Sequence, residues 1–447
     1  MSAITRLATS IAAITLLLLG ACHSTPGDTS SSGGGGGGMS TTTGAAGGGG
    51  SATGDQPSWE TLASYLRGHR EAGTMHGFAM QVYSADDQLL FELEEGVCAT
   101  PGPCPFGSPP YAVDLVTGVA SSTKWITSTT TLAAFEEAVS AKKVESLSAA
   151  LDTPISKVLT CGGGLPASVA GITPRHLLSF TSGLLPDHPC VGKASYDGQP
   201  ATLQTCACAI LADSAAAMVG SPSEGTAKKN AHPPGTTFKY GSTHHTVMAA
   251  AVEKVTGEPW AETFARLVNT PLGVSWAYGP SGAAANPNMA GSIRASVAEY
   301  GRFVRAIFHD GLGGPRTLLS AEAVAEQERS QMPPGVTPLL TPQPGLEYGL
   351  NNWRFCFETP TDLAFLTSGE APVIDPSCGA TFAVGHSGKG GFVPWIDVAQ
   401  GYYAVYAMRE DSPGDDADYT GAELVLAANI RLLTSLIMAK HPAPYDP

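Results

Sequence analysis

A serine and a lysine three residues apart, Ser121 and Lys124, are the side chains of this sequence best placed to do chemistry together. They stand at the start of an apolar run that predicts a buried helix, and positions i and i+3 share one face of a helix. A serine hydroxyl is a weak nucleophile and needs an adjacent base, which a lysine amine can provide. The spacing therefore indicates a nucleophile–base pair, although Ser121 would also fit a simple helix N-cap.

The same spacing occurs a second time, at Ser140 and Lys143. This second match follows Glu136 and Glu137 at the polar end of the same predicted helix. Such a position is typical of a solvated helix terminus. We therefore interpret Ser121, and not Ser140, as the candidate nucleophile.

Two later segments carry further candidate residues. Tyr240 and Ser242 follow a Pro-Gly turn, and a phenol near an ammonium can act as a general base, although Tyr240 would also fit a core aromatic. The segment His386-Ser387-Gly388-Lys389 lies between two strand patterns. Its small residues would let a substrate lie against the backbone, where an N–H can face an oxyanion. A glycine-rich hairpin turn is the structural alternative for this segment.

Short strands near both ends of the chain, with helices between them, must position these residues. Strand patterns cover 78–83, 89–93, 381–384, 392–398 and 402–408, and helical patterns cover 121–139, 175–180, 246–256, 260–267, 297–308 and 420–438. This order predicts an α/β (α+β) fold. The N- and C-terminal strands would form one antiparallel sheet, flanked by helices and interrupted by an all-helical insertion.

The first 57 residues predict export and anchoring. Residues 1–21 have the charged start, short apolar core and small-residue end of a signal peptide. Their Leu-Gly-Ala-Cys ending resembles a bacterial lipobox, which implies acylation of Cys22; an ordinary secretory signal is the alternative. Residues 22–57 are rich in Gly, Ser and Thr and predict a flexible tether to one domain over residues 58–447. We expect an exported lipoprotein that faces the periplasm or the cell surface and is held at the membrane by its lipid.

Charge and cysteine usage narrow the possible partners. The net charge is −15 with no basic cluster, which argues against nucleic-acid binding. The eight cysteines after Cys22 predict disulfides, with Cys98/Cys104 and Cys356/Cys378 as the favoured local pairs. The pairing of the central four stays open: Cys161, Cys190, Cys206 and Cys208. No second cysteine or histidine motif accompanies Cys206 and Cys208, so neither a metal nor a cofactor is expected.

Taken in order, Ser121-x-x-Lys124, Tyr240-x-Ser242 and His386-Ser387-Gly388 resemble the motifs of the serine β-lactamase-related family. That family includes class C β-lactamases, D-alanyl-D-alanine carboxypeptidases, D-aminopeptidases and family VIII esterases. Residues 172–184 and 253–257 are similar to further family segments. The resemblance implies that Ser121 becomes acylated, that Lys124 takes or steers its proton and that Tyr240 is the general base. It also implies an oxyanion hole made by the backbone N–H groups of Ser121 and Lys389.

Two positions depart from the β-lactamase pattern. Ser242 stands where β-lactamases usually have Asn, and His386 stands where they have the Lys of Lys-Thr-Gly. We therefore expect a serine hydrolase that cleaves an ester, amide or D-amino-acid peptide bond of a small-molecule or peptidoglycan-derived substrate outside the cytoplasm. A β-lactamase or D,D-carboxypeptidase is the first alternative, and a non-catalytic lipoprotein that binds a cell-wall ligand is the second. The sequence predicts no oligomeric state.

Overall fold

The computed structural model describes residues 56–98, 109–221, 229–279, 285–312, 317–341, 345–375, 383–409 and 421–446. The strands of this part are β1 (Gly77–Ser84), β2 (Leu89–Gly96), β3 (Thr117–Gly118), β4 (Ser195–Tyr196), β5 (Gln199–Pro200), β6 (Thr237–Lys239), β7 (Arg294–Ala295), β8 (Thr337–Leu340), β9 (Glu347–Tyr348), β10 (Trp353–Phe355), β11 (Ala383–Gly385), β12 (Phe392–Asp397) and β13 (Tyr402–Arg409).

The helices of this part surround the strands or lie between them in the chain. They are α1 (Trp59–Glu71), α2 (Thr123–Ser140), α3 (Leu147–Asp152), α4 (Ala167–Ala170), α5 (Pro174–Leu178), α6 (Leu203–Ala216), α7 (Thr243–Thr256), α8 (Trp260–Phe264), α9 (Thr270–Leu272), α10 (Val297–Phe308), α11 (Ala321–Glu328), α12 (Phe365–Ser368) and α13 (Gly421–Met438). Several begin at side-chain caps; Ser296, for example, accepts a hydrogen bond from the backbone of Glu299 at the start of α10.

A seven-stranded antiparallel sheet organises the domain, in the order β2–β1–β13–β12–β11–β10–β9. Because side chains alternate along a strand, β13 serves two separate cores. Tyr402 and Tyr406 pack on the side of α1 and α13, whereas Tyr403 and Val405 belong to the core that contains α10. The sheet is therefore covered by helices on both faces.

The chain between β2 and β9 forms the insertion, which is mainly helical and also holds short strand pairs. β3 pairs with β7, and β6 pairs in parallel with β8. These two small pairs lead directly into α2 and α7. Ser122, just before α2, donates to the carbonyl oxygens of His386, which follows β11, and Phe392, which begins β12, so the start of α2 lies where the helical insertion meets the main sheet.

The predicted fold class is confirmed, and most of the predicted elements are present. The 78–83/89–93 hairpin, the strand patterns from 392 to 408 and the 297–308 helix correspond to β1–β2, β12–β13 and α10. The 260–267 helix continues from α8 into a π-helical turn, Ala265–Asn269. α1 and α6 had not been predicted, and residues 381–382 of the predicted strand lie outside the described residues.

Two disulfides resolve the pairing of the central cysteines: Cys161–Cys208 and Cys190–Cys206. Cys206 and Cys208 stand two apart on α6, so their side chains point in different directions and reach different partners. Cys98 and Cys356 are disulfide-bonded as well. Their predicted partners, Cys104 and Cys378, lie outside the described residues.

The predicted signal peptide, the lipidated Cys22 and nearly all of the predicted tether also lie outside the described residues. Among the helices that the structure describes, none is long and apolar enough to cross a membrane.

Candidate active site

Ser121 lies in a 3₁₀ turn, Ala120–Ser122, that joins β3 to α2. The turn begins at Ala120, whose φ of 44° lies in the left-handed region that alanine rarely adopts. The residue before the turn, Val119, is fixed by a hydrogen bond from its N–H to the carbonyl oxygen of Ile293 at 3.0 Å. The nucleophile candidate is thus presented by a strained turn that its neighbours fix in place.

Lys124 lies in the first turn of α2, and its amine contacts the Ser121 hydroxyl directly. Nζ donates to Ser121 Oγ at 2.9 Å and to the carbonyl oxygen of Ala290 at 2.8 Å. The side chain is only 4% exposed. Burial lowers the pKa of Lys124 to about 7, against a smaller opposing effect of the Asp187 charge. Near neutral pH a large share of this amine is therefore uncharged and able to accept a proton.

Tyr240 directly follows β6 and forms a triad with Ser121 and Lys124. Lys124 Nζ lies 4.7 Å from the centre of the Tyr240 ring, and the phenol hydrogen-bonds the Ser121 side chain. Burial raises the pKa of Tyr240, with the hydrogen bond to Ser121 as a smaller opposing effect. The phenol therefore holds its proton more tightly than free tyrosine does. These electrostatics differ from the general-base role that the family resemblance implied for Tyr240.

An aromatic layer supports Tyr240 from behind. The Tyr240 ring packs against Phe180, with ring centres 4.8 Å apart, and against Trp353 at 6.2 Å. Phe180 belongs to a small buried cluster whose members are Phe180, Phe238, Tyr348, Trp353 and Phe355. Packing of this kind fixes the orientation of a side chain that must act at a defined distance.

The His386–Lys389 segment follows β11 and lies against the turn that carries Ser121. Ser122 Oγ donates to the carbonyl oxygen of His386 at 2.6 Å. A Cβ on Gly388 would lie 2.1 Å from the Val119 oxygen and 3.3 Å from the Ala120 Cβ, so only glycine fits. The structure therefore brings the third predicted motif to the first, with Lys389 next to the contact and its side chain exposed.

His386 is completely buried and uncharged. Its Nε2 pairs with the hydroxyl of Tyr348 at 3.2 Å and its Nδ1 lies 3.1 Å from the carbonyl oxygen of Ser387. Burial keeps the pKa of His386 well below its usual value, and the nearby charge of Lys124 is a smaller cause in the same direction. Its imidazole therefore supplies no positive charge for a substrate carboxylate at neutral pH.

Ser387 is oriented by an arginine that sequence reasoning missed. Arg431 on α13 donates from Nη2 to Ser387 Oγ at 2.6 Å, and its guanidinium lies 3.9 Å from the centre of the Phe355 ring. Because the Ser387 oxygen accepts this bond, its hydroxyl proton remains available to another acceptor. No local signal marks Arg431, which reaches the site only through the packing of the last helix.

Ser242 lies at the rim of the site and contacts Asp187. Its Oγ donates to Asp187 Oδ1 at 3.3 Å, and Asp187 is exposed. Sequence analysis missed Asp187, and it also missed Ala290, whose carbonyl holds Lys124. Neither belongs to a motif, and both come to the site by tertiary contact.

The rival nucleophile is placed elsewhere. Ser140 and Lys143 are exposed at the C-terminal end of α2, on a surface groove of about 860 Å³. Ser121, by contrast, is hydrogen-bonded by Lys124 and Tyr240 and lies in the turn that begins at Ala120. The interpretation of Ser140 as a solvated helix end agrees with this placement.

Two further clusters of histidine and cysteine lie within the part of the chain that the structure describes. His244 and His245 are buried on α7 against Phe180, and burial lowers the pKa of both, that of His244 to about 3. His188 lies beside Cys190 and Cys206, but these two cysteines are joined in a disulfide and carry no thiolate for a metal.

Comparison with known proteins adds a family to this arrangement of a serine, a buried lysine and a tyrosine. The family model described as Beta-lactamase matches residues 62–429. The chain belongs to the β-lactamase family. Members of this family are generally serine hydrolases, and they include β-lactamases, esterases and acyltransferases. No curated protein matches the chain.

Solved structures show the same fold as this β-lactamase-family protein at low sequence identity. A crystal structure from Bacteroides dorei, provisionally named a β-lactamase, has 21% identity and a TM-score of 0.60, covering 86% of this chain and 98% of its own. Simvastatin synthase from Aspergillus terreus has 16% identity and a TM-score of 0.55, with 87% and 99% covered. The octameric penicillin-binding protein homologue from Pyrococcus abyssi has 16% identity and a TM-score of 0.54, with 84% and 77% covered.

Proposed function

We propose that this protein is a serine hydrolase that forms an acyl-enzyme on Ser121 and cleaves ester, amide or D-amino-acid peptide bonds. The observation that carries the proposal is the buried Lys124 amine, 2.9 Å from Ser121 Oγ and with a pKa of about 7. A base whose pKa lies near the working pH is suited to proton transfer in both directions. Membership of a family of serine hydrolases supports the same conclusion.

In the proposed acylation step, neutral Lys124 accepts the Ser121 proton as Oγ attacks the substrate carbonyl carbon. The carbonyl electron pair moves onto oxygen, and we assign the backbone N–H groups of Ser121 and Lys389 as its oxyanion hole. The close contact of Gly388 with Val119 and Ala120 supports this assignment, since Lys389 and Ser121 are chain neighbours of the residues in that contact.

Collapse of the tetrahedral intermediate requires a proton on the leaving group. We assign its delivery to Tyr240, which is protonated, hydrogen-bonded to Ser121 and in contact with Lys124. Lys124 then returns its proton to the phenol. In deacylation, water attacks the acyl carbonyl carbon and its proton passes through Tyr240 to Lys124. The bond between that carbon and Ser121 Oγ then breaks, and Lys124 returns the proton to Oγ, which regenerates the free enzyme and releases the acid.

We expect the protein to cleave esters faster than β-lactams. Ser242 offers no amide for an acylamino group, and its hydroxyl already contacts Asp187. His386 is buried and neutral, so the charge-assisted bond that a lysine would give to a carboxylate is absent. Such a bond is roughly twice as strong as a neutral one.

We also propose that the protein acts outside the cytoplasm, anchored by a lipid on Cys22. The disulfides Cys161–Cys208 and Cys190–Cys206 support an oxidising compartment. Growth with labelled palmitate tests the anchor. We expect the wild-type chain to incorporate the label and Cys22→Ser to lose it. Equal labelling of both chains would contradict the anchor.

The catalytic proposal is tested by incubating residues 58–447 with a fluorophosphonate probe, p-nitrophenyl esters and nitrocefin. We expect one covalent adduct by intact mass, mapped to Ser121, and faster turnover of short esters than of nitrocefin. Ser121→Ala should abolish labelling, whereas Ser140→Ala, at the exposed second match, should retain it. Labelling that survives in Ser121→Ala would refute the nucleophile assignment, and efficient nitrocefin turnover would favour a β-lactamase. A folded protein with no adduct would favour the non-catalytic binding lipoprotein.

A further inference from the structure

The segment Leu185–Asp187 lies beside Ser242 and Thr243 and belongs to none of the three motifs. Pro186 accepts hydrogen bonds through its carbonyl oxygen from the N–H groups of Ser242 at 2.8 Å and Thr243 at 3.3 Å. Thr243 Oγ1 donates to the carbonyl oxygen of Leu185 at 2.5 Å. The segment is therefore fixed to the residues that follow Tyr240.

This contact depends on a glycine within the tyrosine motif. A Cβ on Gly241 would lie 2.1 Å from the Pro186 carbonyl oxygen and 2.6 Å from its Cα. Any other residue at position 241 would push the segment away. The close approach thus sets how near Asp187 comes to the catalytic residues.

Asp187 brings a carboxylate to the rim of the site. One of its oxygens accepts the Ser242 hydroxyl, and its charge acts on the buried Lys124 amine. Within the residues that the structure describes, Asp187 has no ion-pair partner, and its side chain is exposed. A carboxylate in this position can accept a further hydrogen bond or balance a positive charge.

We infer that Asp187 is a specificity residue that favours substrates with a positively charged group on the acyl side of the scissile bond. The inference rests on the proposed acyl-enzyme chemistry at Ser121 and adds a substrate class to it. Ser242 follows Tyr240 by two residues and the Asp187 charge reaches Lys124, so the Asp187 carboxylate lies close enough to attract a cation on an acyl group that is attached to Ser121. Attraction to a single exposed carboxylate is modest, and we expect a preference of ~5–10-fold.

The test uses two p-nitrophenyl ester series that differ only in charge. One acyl chain ends in a trimethylammonium group after two to four methylenes, and its isostere ends in tert-butyl. The wild-type chain should show a kcat/KM ratio of ~5–10 in favour of the cation at the best chain length, expressed mainly in KM, and the ratio should fall as salt is raised. Asp187→Asn should reduce the ratio to about one, and Gly241→Ala should lower it because it displaces Pro186.

Asp197→Asn is the matched control, because Asp197 lies in the β4–β5 turn between α5 and α6, as Asp187 also lies between these helices, and its left-handed backbone, with φ of 50°, suits asparagine equally well. This variant should keep the wild-type ratio. A wild-type ratio of one at every chain length would overturn the inference. It would also be overturned if Asp187→Asn lowered both esters by the same factor, since Asp187 would then act only through Lys124. If neither ester is cleaved and Ser121 is not labelled, the proposed function itself fails and the inference falls with it.

Discussion

Replacing Lys124 by methionine removes the buried amine and keeps the length of the side chain. Burial lowers the pKa of this amine from 10.5 to about 7. Each pKa unit corresponds to about 1.4 kcal/mol, so below pH 7 the buried ammonium lowers the free energy of unfolding by ~5 kcal/mol. Lys124→Met removes this cost and also loses two hydrogen bonds, to Ser121 Oγ and the Ala290 carbonyl oxygen, worth ~1–3 kcal/mol. We expect the variant to be inactive and, at pH 6, more stable than the wild type.

The pH dependence of the free energy of unfolding separates the cost of burying the ammonium from the loss of the two hydrogen bonds. The lost hydrogen bonds lower stability equally at every pH, whereas the cost of the buried charge changes with pH. Between pH 7 and 10.5 the unfolded chain binds a proton at Lys124 that the folded chain has released. Wild-type stability therefore rises with pH in this window, by ~2–3 kcal/mol between pH 6 and pH 9 relative to the variant. The advantage of Lys124→Met should thus be largest at pH 6 and shrink by that amount at pH 9.

Urea unfolding of residues 58–447 with disulfides intact, followed by tryptophan fluorescence at pH 6, 7, 8 and 9, measures this difference. Lys143→Met is the control, because it removes an exposed amine from the other end of α2 and should give a curve parallel to the wild type. Parallel curves for Lys124→Met and the wild type would refute the reasoning. They would show that Lys124 is charged over the whole range and is not a base near neutral pH.

Three further predictions concern catalysis. kcat/KM for an ester should rise with pH through an apparent pKa of about 7 as Lys124 loses its proton, and a profile that is flat from pH 5.5 to 8.5 would contradict this. Lys124→Ala and Tyr240→Phe should each lower kcat by orders of magnitude, and the double variant should lose little more; additive losses in steady-state rates would mean that the two side chains act independently. Gly388→Ala should slow fluorophosphonate labelling by ~100-fold, because its Cβ would lie 2.1 Å from the Val119 oxygen and displace the segment. Gly171→Ala, whose Cβ would meet nothing within 4 Å, should label at the wild-type rate, and equal rates for both variants would show that the close contact is dispensable.

The parts of the site that sequence alone predicts are those whose geometry is local. Ser121 and Lys124 meet because they stand at positions i and i+3 of one helical turn, and no tertiary contact is needed. The strands β12 and β13 show the apolar patterns of buried strands and were predicted for the same reason. The strands β9 and β10 of the same sheet have only two and three residues, too few for a pattern to develop.

The other parts depend on approaches between distant segments. Ala290 contributes a backbone oxygen, which any residue type would supply, so its position is invisible in the sequence. Asp187 reaches Ser242 only because Gly241 admits the Pro186 carbonyl. The cysteine pairing required knowing that residues 203–216 form a helix, which its small side chains did not reveal.

The pairing of β1 with β13 has a consequence for biosynthesis. The two strands pair along their whole length, from Gly77 with Arg409 to Ser84 with Tyr402, although one is made early and the other late. Closing so long a loop is entropically costly and slow. A chain that is still being translated, and has not reached residue 409, contains the nucleophile helix but lacks the strand on which β12 and its support of Ser122 depend. The proposed site is therefore complete only after β13 has been made, and until then the edge of β1 that β13 covers is open to pairing with other chains.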